Sequence, residues 1–316
     1  MTVRTLFSSE DFIQILTHYD LGTFVSATPI SQGTVQTNYI VNTTQHTFVF
    51  RRYENRSEEA VLFELNVLTH LMTHQFPCPY PIQNKQAKYN GLYHGKPYAL
   101  FTFIEGQSVE GLNKQQAAHL IRNVATLHNL TINFQPVHMQ HRWNYSPDFC
   151  QYLAEATAKK IDTPDAYQKL AWLENTLSTL QLPLNLPKGI CHCDLDLSNI
   201  FFHGDKFVAL LDFDDANYTY LLFDLVCLIE SFAWHYTEDY LDFVQALGVT
   251  QTYQQHRTLT HEEQRHLYDV YKLSILIDCI WFFERGSGDH FYEKQKIDAL
   301  LQIGREQFVS KLFPKL

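Results

Sequence analysis

The stretch Cys191-His192-Cys193-Asp194-Leu195-Asp196-Leu197-Ser198-Asn199, followed thirteen residues later by Asp212-Phe213-Asp214, decides the reading of this chain. It sets one carboxylate suited to accept a hydroxyl proton, Asp194, ahead of two oxygen-bearing side chains, Asn199 and Asp212, of the type that hold Mg²⁺. Between them, Asn199-Ile200-Phe201-Phe202 and Phe207-Val208-Ala209-Leu210-Leu211 are apolar, strand-like runs, and His203-Gly204-Asp205-Lys206 has the composition of a hairpin turn. A hairpin centred there returns Asn199 and Asp212 to the same end. An ordinary hairpin with polar ends does not explain why His192, Asp194, Leu195, Asn199 and Asp212 fall in place together.

Bulk properties narrow the class. The chain has 316 residues, enough for two lobes, and 45% hydrophobic with 14% aromatic residues is ample for packed cores. A net charge of −10, with no basic run longer than a pair such as Arg51-Arg52, removes the footprint of a nucleic-acid binder. No apolar run is long enough to span a membrane, and the N-terminus lacks a signal-peptide core, so a cytoplasmic location is expected. Six cysteines without regular spacing do not form a disulfide framework. Cys191 and Cys193 beside His192 also allow a metal trio or a nucleophile beside a base, but no second ligand cluster is evident.

Along the chain, residues 1–104 read as a small β-rich lobe. Thr28-Pro29-Ile30, Asn38 to Asn42 and Thr47 to Arg52 are expected strands, and a helix over roughly 58–74 is capped at Ser57. A further hairpin is expected around the turn Asn90-Gly91, its second strand running from Lys96 to Ile104. Residues 105–316 read as mainly helical, with helices from Asn113 to Leu130, two between Met139 and Leu180 joined near Thr163-Pro164-Asp165, and more from about Leu221. The fold class is therefore α+β, a bilobal protein-kinase-like plan.

From His192 the fragment reads H-x-D-L-x-x-x-N, and with the later D-F-x it follows the order used by kinase-fold enzymes. With Tyr19-Asp20-Leu21-Gly22, Thr37-Asn38-Tyr39, Phe101 to Gly106 and Leu222-Phe223-Asp224-Leu225, the chain resembles the aminoglycoside phosphotransferase and choline kinase superfamily. Within it, the chain looks most like the type II homoserine kinases. The resemblance implies ATP and Mg²⁺ as cofactors, Asp194 as the residue that orients the acceptor hydroxyl, and Asn199 and Asp212 as metal ligands. It makes His192 and Asp224 supports of the catalytic loop. In the small lobe it implies Arg51 as the cation over the phosphates, with Arg52 its rival because strand alternation sends the two to opposite faces, and Glu64 as the acid that holds the cation.

Gly33 and Thr34, in Ser31 to Gln36, are the expected phosphate-covering loop, which read alone is equally a plain hairpin turn. The backbone of Phe103, Ile104 and Glu105 is expected to meet the adenine. No long activation segment or A-P-E motif follows Asp212, which favours a small hydroxyl-bearing acceptor over a polypeptide. Asp196, Asp214, Asp215 and Glu230 crowd the acceptor side, so an amine-bearing metabolite is expected, with Asp196 and Asp214 as candidate acceptor ligands. Trp234, Tyr236, Tyr240, Trp281, Phe282 and Phe283 are either acceptor-lining or core. L-Homoserine is the leading acceptor. Choline, ethanolamine and aminoglycosides are its rivals, and a nucleotide-binding pseudokinase or a protein kinase is the alternative of another class. Oligomeric state is not readable.

Overall fold

The computed structural model describes residues 5–31, 35–143, 145–234, 240–285 and 294–314. They form two compact units. The first takes in Met1–Gln116, Gln135–Arg142 and Asp196–Ala216, and the second Ala117–Phe134, Trp143–Leu195 and Asn217–Leu316.

In the first unit, β1 (Phe24–Pro29), β2 (Thr37–Thr43), β3 (Thr47–Arg52), β4 (Asn90–Tyr93) and β5 (Lys96–Thr102) make an antiparallel sheet in the order β1-β2-β3-β5-β4. Alternation along β2 and β3 buries Tyr39, Val41, Phe48 and Phe50 on one face. That face is covered by α1 (Ser9–Leu16), which contributes Phe12, Ile15 and Leu16 to the same core. Helix α1 starts at a capping box: Ser8 Oγ accepts from the Asp11 N–H and the Asp11 carboxylate accepts from the Ser8 N–H. Helix α2 (Glu58–Thr73) begins as expected, with Ser57 Oγ accepting from the Ala60 N–H at 3.2 Å.

The β4–β5 turn is His94-Gly95, not Asn90-Gly91. His94 and Gly95 both have positive φ, 49° and 73°, the conformation that a two-residue hairpin turn requires. Gly91 lies inside β4 opposite Tyr98, whose ring would sit 2.3 Å from an added Cβ. Absence of a side chain, rather than freedom of φ, is what that position demands.

The hairpin expected after Asn199 is present: β7 (Ile200–His203) pairs antiparallel with β8 (Lys206–Leu210), and Gly204 in the turn has φ 58°. The Leu211 N–H donates to the Asn199 carbonyl at 2.7 Å and so closes the open end.

The second unit is mainly helical. Helices α3 (Lys114–Thr131), α4 (Pro147–Ile161), α5 (Pro164–Ser178), α6 (Leu222–Ala233), α7 (Phe243–Gln254), α8 (His261–Arg285), α9 (Lys294–Ile303) and α10 (Arg305–Leu312) follow in order, α3 starting in the first unit. The long α8 packs against α4, α5, α6, α9 and α10. A two-stranded ribbon, β6 (Lys188–Cys191) with β9 (Asn217–Tyr220), leads directly into the His192 stretch. Among the described residues, no helix is long and apolar enough to cross a membrane.

Candidate active site

In the first unit the geometry converges on Arg51. Strand alternation turns Arg51 and Arg52 apart: Arg52 pairs with Glu54 at 2.6 Å and donates to Thr5, whereas Arg51 reaches Glu64 on α2 at 3.4 Å and Asp212 at 2.9 Å. Asn38, opposite Arg51 on β2, accepts from Arg51 Nε at 3.0 Å and fixes the guanidinium plane. Burial opposes the charge on Arg51, but Asp212 and Glu64 more than offset it and keep the group firmly protonated. The Glu64 carboxyl is pushed up to about 7 by burial, which outweighs its attraction to Arg51. A buried ion pair in which one carboxylate is held near neutrality lies at the limit of what desolvation tolerates.

Asp212 itself sits at φ 59° and ψ 68°, a left-handed backbone unusual for a residue with a Cβ. With Asn199 at the far end of the closed β7–β8 hairpin, it sets an amide and a carboxylate at one end of the same ribbon. All-oxygen donors of this kind fit a hard cation such as Mg²⁺ better than a soft one. The connection after β5 pairs with the same hairpin: Gln107 and Phe202 exchange backbone hydrogen bonds at 3.1 and 2.9 Å. Phe103 and Glu105 are exposed and Ile104 half-buried. Gly33 and Thr34 lie outside the described residues.

Two residues read as acceptor ligands have other partners. Asp196 caps the short turn at 197–199, accepting from the Ser198 N–H at 2.8 Å and from Ser198 Oγ at 2.5 Å. Asp214 is buried and accepts from Arg56 Nε at 3.0 Å and from Gln36 Nε2 at 2.9 Å. Burial would raise its pKa, yet Arg56 holds it below the usual carboxylate value.

In the second unit the His192 stretch hangs from one buried carboxylate. Asp224, in the first turn of α6, accepts from the His192 N–H at 2.7 Å and the Cys193 N–H at 3.0 Å, with His128 Nε2 of α3 at 3.2 Å. Burial works to raise Asp224, but His128 and the two amides hold it low. Burial likewise lowers His128, against the pull of Asp224. His128 Nδ1 meets the Tyr253 hydroxyl of α7 at 2.6 Å, Arg257 donates to that hydroxyl at 3.3 Å, and Arg257 pairs with the buried Glu263 at 2.7 Å. Two amides held from below and a positive φ of 63° at Cys193 fix the backbone on which the half-buried Asp194 is carried. Reading the sequence missed His128, Tyr253, Arg56 and Arg142. An Asp at the head of α6 was the one visible signal that the loop needs a brace.

His128, Cys191 and Asp224 place ligand-type atoms within 4.8 Å of one another. Asp224 is already engaged by two amides and the imidazole, and burial pushes the Cys191 thiol well up, so the group reads as a brace rather than a metal centre. Burial likewise raises the Cys227 thiol. Glu230 pairs with Lys296 at 2.7 Å. Trp234 and Phe283 are core residues, Trp281 stacks on Trp143 at 4.3 Å, Tyr240 is exposed, and Tyr236 lies outside the described residues.

Residues 26–259 match the phosphotransferase enzyme family. The chain belongs to that family. As a member it is similar to curated homoserine kinases, among them one from Methylobacillus flagellatus, 29% identical with 98% of each chain covered. Another, from Parvibaculum lavamentivorans, is 31% identical, covering 83% of this chain and 81% of the relative. Solved structures of the same fold include an amicoumacin kinase in complex with AMP-PNP, Ca²⁺ and Ami, with TM-score 0.65, 16% identity and coverage of 94% and 96%. A microcompartment-associated aminopropanol kinase follows, with TM-score 0.62, 16% identity and coverage of 96% and 95%. This family member is a small-molecule kinase with an α+β, protein-kinase-like fold.

Proposed function

We propose that this phosphotransferase moves the terminal phosphoryl group of ATP to the hydroxyl of L-homoserine, with Mg²⁺ as its cation. The supporting observation is Arg51, gripped by Glu64 and Asp212 near the end of the central strand β3 while Asp212 returns beside Asn199 at the end of one hairpin. Residues 1–104 would serve as the nucleotide lobe and 105–316 as the catalytic and acceptor lobe, with the Phe103–Glu105 backbone meeting adenine and Gly33 and Thr34 covering the phosphates. A magnesium ion held by Asn199 and Asp212 would neutralise charge on the phosphates. Arg51 keeps a cation that cannot lose its proton against them. Asp194 orients the acceptor hydroxyl and takes its proton, which is the main chemical demand in a reaction dominated by positioning and charge neutralisation. His192 and Asp224 serve as supports of the loop and take no part in proton transfer. Asp224 anchors the backbone that carries Asp194.

The acceptor is inferred from the homoserine kinases matched over most of the chain. The test is turnover with ATP and Mg²⁺ across L-homoserine, choline, ethanolamine, an aminopropanol and aminoglycosides. Saturable phosphorylation of homoserine above the others is expected. Phosphorylation confined to another amine moves the assignment there, and labelling of polypeptide alone overturns the small-molecule reading. Asp194→Asn should abolish transfer while nucleotide binding, followed by calorimetry, persists.

A further inference from the structure

The segment after Asp212 is held from two sides by arginines that the chemistry above does not use. Arg56, just ahead of α2, donates through Nε and Nη2 to the Asp214 carboxylate at 3.0 and 3.2 Å, and through Nη2 to the Asp214 carbonyl at 3.1 Å and to Asp215 at 2.6 Å. Arg142, at the end of the Gln135–Arg142 segment, donates to the same Asp214 carbonyl and, at 2.8 Å, to the Ala216 carbonyl. Its guanidinium lies over the Phe63 ring at 5.1 Å, next to Glu64 on α2. Gln36 completes the cluster: it accepts from the Glu54 N–H at 2.8 Å and donates to Asn55 and to Asp214, both at 2.9 Å.

Arg142, Gln36 and Asp214 are all buried. A charged cluster that sets four side chains on one tight turn fixes backbone, because the Asp214 and Ala216 carbonyls are bound by planar, rigid forks. The turn it fixes begins at Asp212, whose left-handed backbone is uncommon for a residue with a Cβ, although aspartate adopts it more readily than most.

We propose that Asp214, Arg56, Arg142 and Gln36 are positioning residues that keep Asp212 in the backbone conformation from which it binds the metal, so that Asp214 serves the metal side of the reaction and not the acceptor. This rests on the kinase reading above. Releasing the clamp lets the turn sample other conformations, and apparent metal affinity falls in proportion to the lost competent fraction. A turn correct about one-tenth of the time binds metal about tenfold more weakly.

The test uses the full chain with Asp214→Asn and, as a milder change that keeps the charge, Arg142→Lys. Mn²⁺ binding is titrated by electron paramagnetic resonance with AMP-PNP present, hydrogen exchange of Phe213–Ala216 is followed without ligands, and the acceptor KM is measured. Faster exchange in this segment, about tenfold weaker Mn²⁺ binding and an unchanged acceptor KM are expected for both variants. Mn²⁺ binding as tight as wild type, with or without a raised acceptor KM, overturns the proposal. Wild-type protein that binds no Mn²⁺ with AMP-PNP overturns the kinase reading itself, and the proposal with it, so the two failures are distinct.

Discussion

Glu64→Gln should make the ligand-free protein more stable and the enzyme worse. Glu64 is 1% exposed and its carboxyl is pushed up to about 7 from the ordinary glutamate value of 4.5. A group favoured in its protonated form by folding contributes stability that is complete below the unfolded value and declines as pH rises through the folded one. At about 1.4 kcal/mol per pH unit, ionised Glu64 costs the folded state ~3 kcal/mol above neutrality. Glutamine imitates the protonated carboxyl in shape and lacks the charge. Urea unfolding at pH 8 should therefore show the variant more stable by ~3 kcal/mol, shrinking below ~1 kcal/mol at pH 5. Turnover should fall at least about tenfold, because Arg51 loses the partner that aims it toward the phosphates. The reasoning is refuted if the variant is less stable than wild type at pH 8, or if its gain is the same at both pH values.

Three further outcomes follow from the geometry. Asp224→Asn removes the charge and one of the two oxygens that accept from the His192 and Cys193 amides and should destabilise folding by ~3–5 kcal/mol in urea titrations, with turnover lost below the unfolding transition. Since His128 and Asp224 are both held below their ordinary values, their stabilisation should fade as pH drops below about 6.5 for His128 and below about 4 for Asp224; thermal unfolding of the Glu64→Gln variant, which lacks the opposing Glu64 contribution, from about pH 8 to about pH 3 would contradict this if the melting temperature rose toward acid. Arg51→Lys should depress kcat/KM for ATP about tenfold or more, while Arg52→Lys, which keeps a cation for Glu54, should change it less than about twofold.

Much of the geometry around Asn199 and Asp212 was legible because its signals are local. The β7–β8 hairpin announces itself by two apolar runs around a glycine turn, and its strand count returns Asn199 and Asp212 to one end without any tertiary knowledge. Helix α2 was equally plain from Ser57 and the periodic leucines. Helix α1 escaped because its eight residues carry a short apolar pattern, although Ser8 and Asp11 hold the capping spacing. The turn near residue 95 was misplaced because Asn90-Gly91 imitates a hairpin dipeptide, and only the Tyr98 ring across the strand gives Gly91 its different purpose. Long-range partners left no local trace. Nothing near Asp214 in sequence points to Arg56 or Arg142, 158 and 72 positions away, or near His128 to Tyr253, 125 positions on.

The distribution of these groups over the two compact units has an evolutionary consequence. Arg51, Glu64, Asn199, Asp212 and the arginines gripping the turn belong to one unit, whereas Asp194 and its Asp224 brace belong to the other. On the proposed roles, substitutions that alter the alcohol held by Asp194 fall in one unit and leave the phosphate-handling groups of the other in place, so the acceptor can change while the phosphoryl chemistry stays.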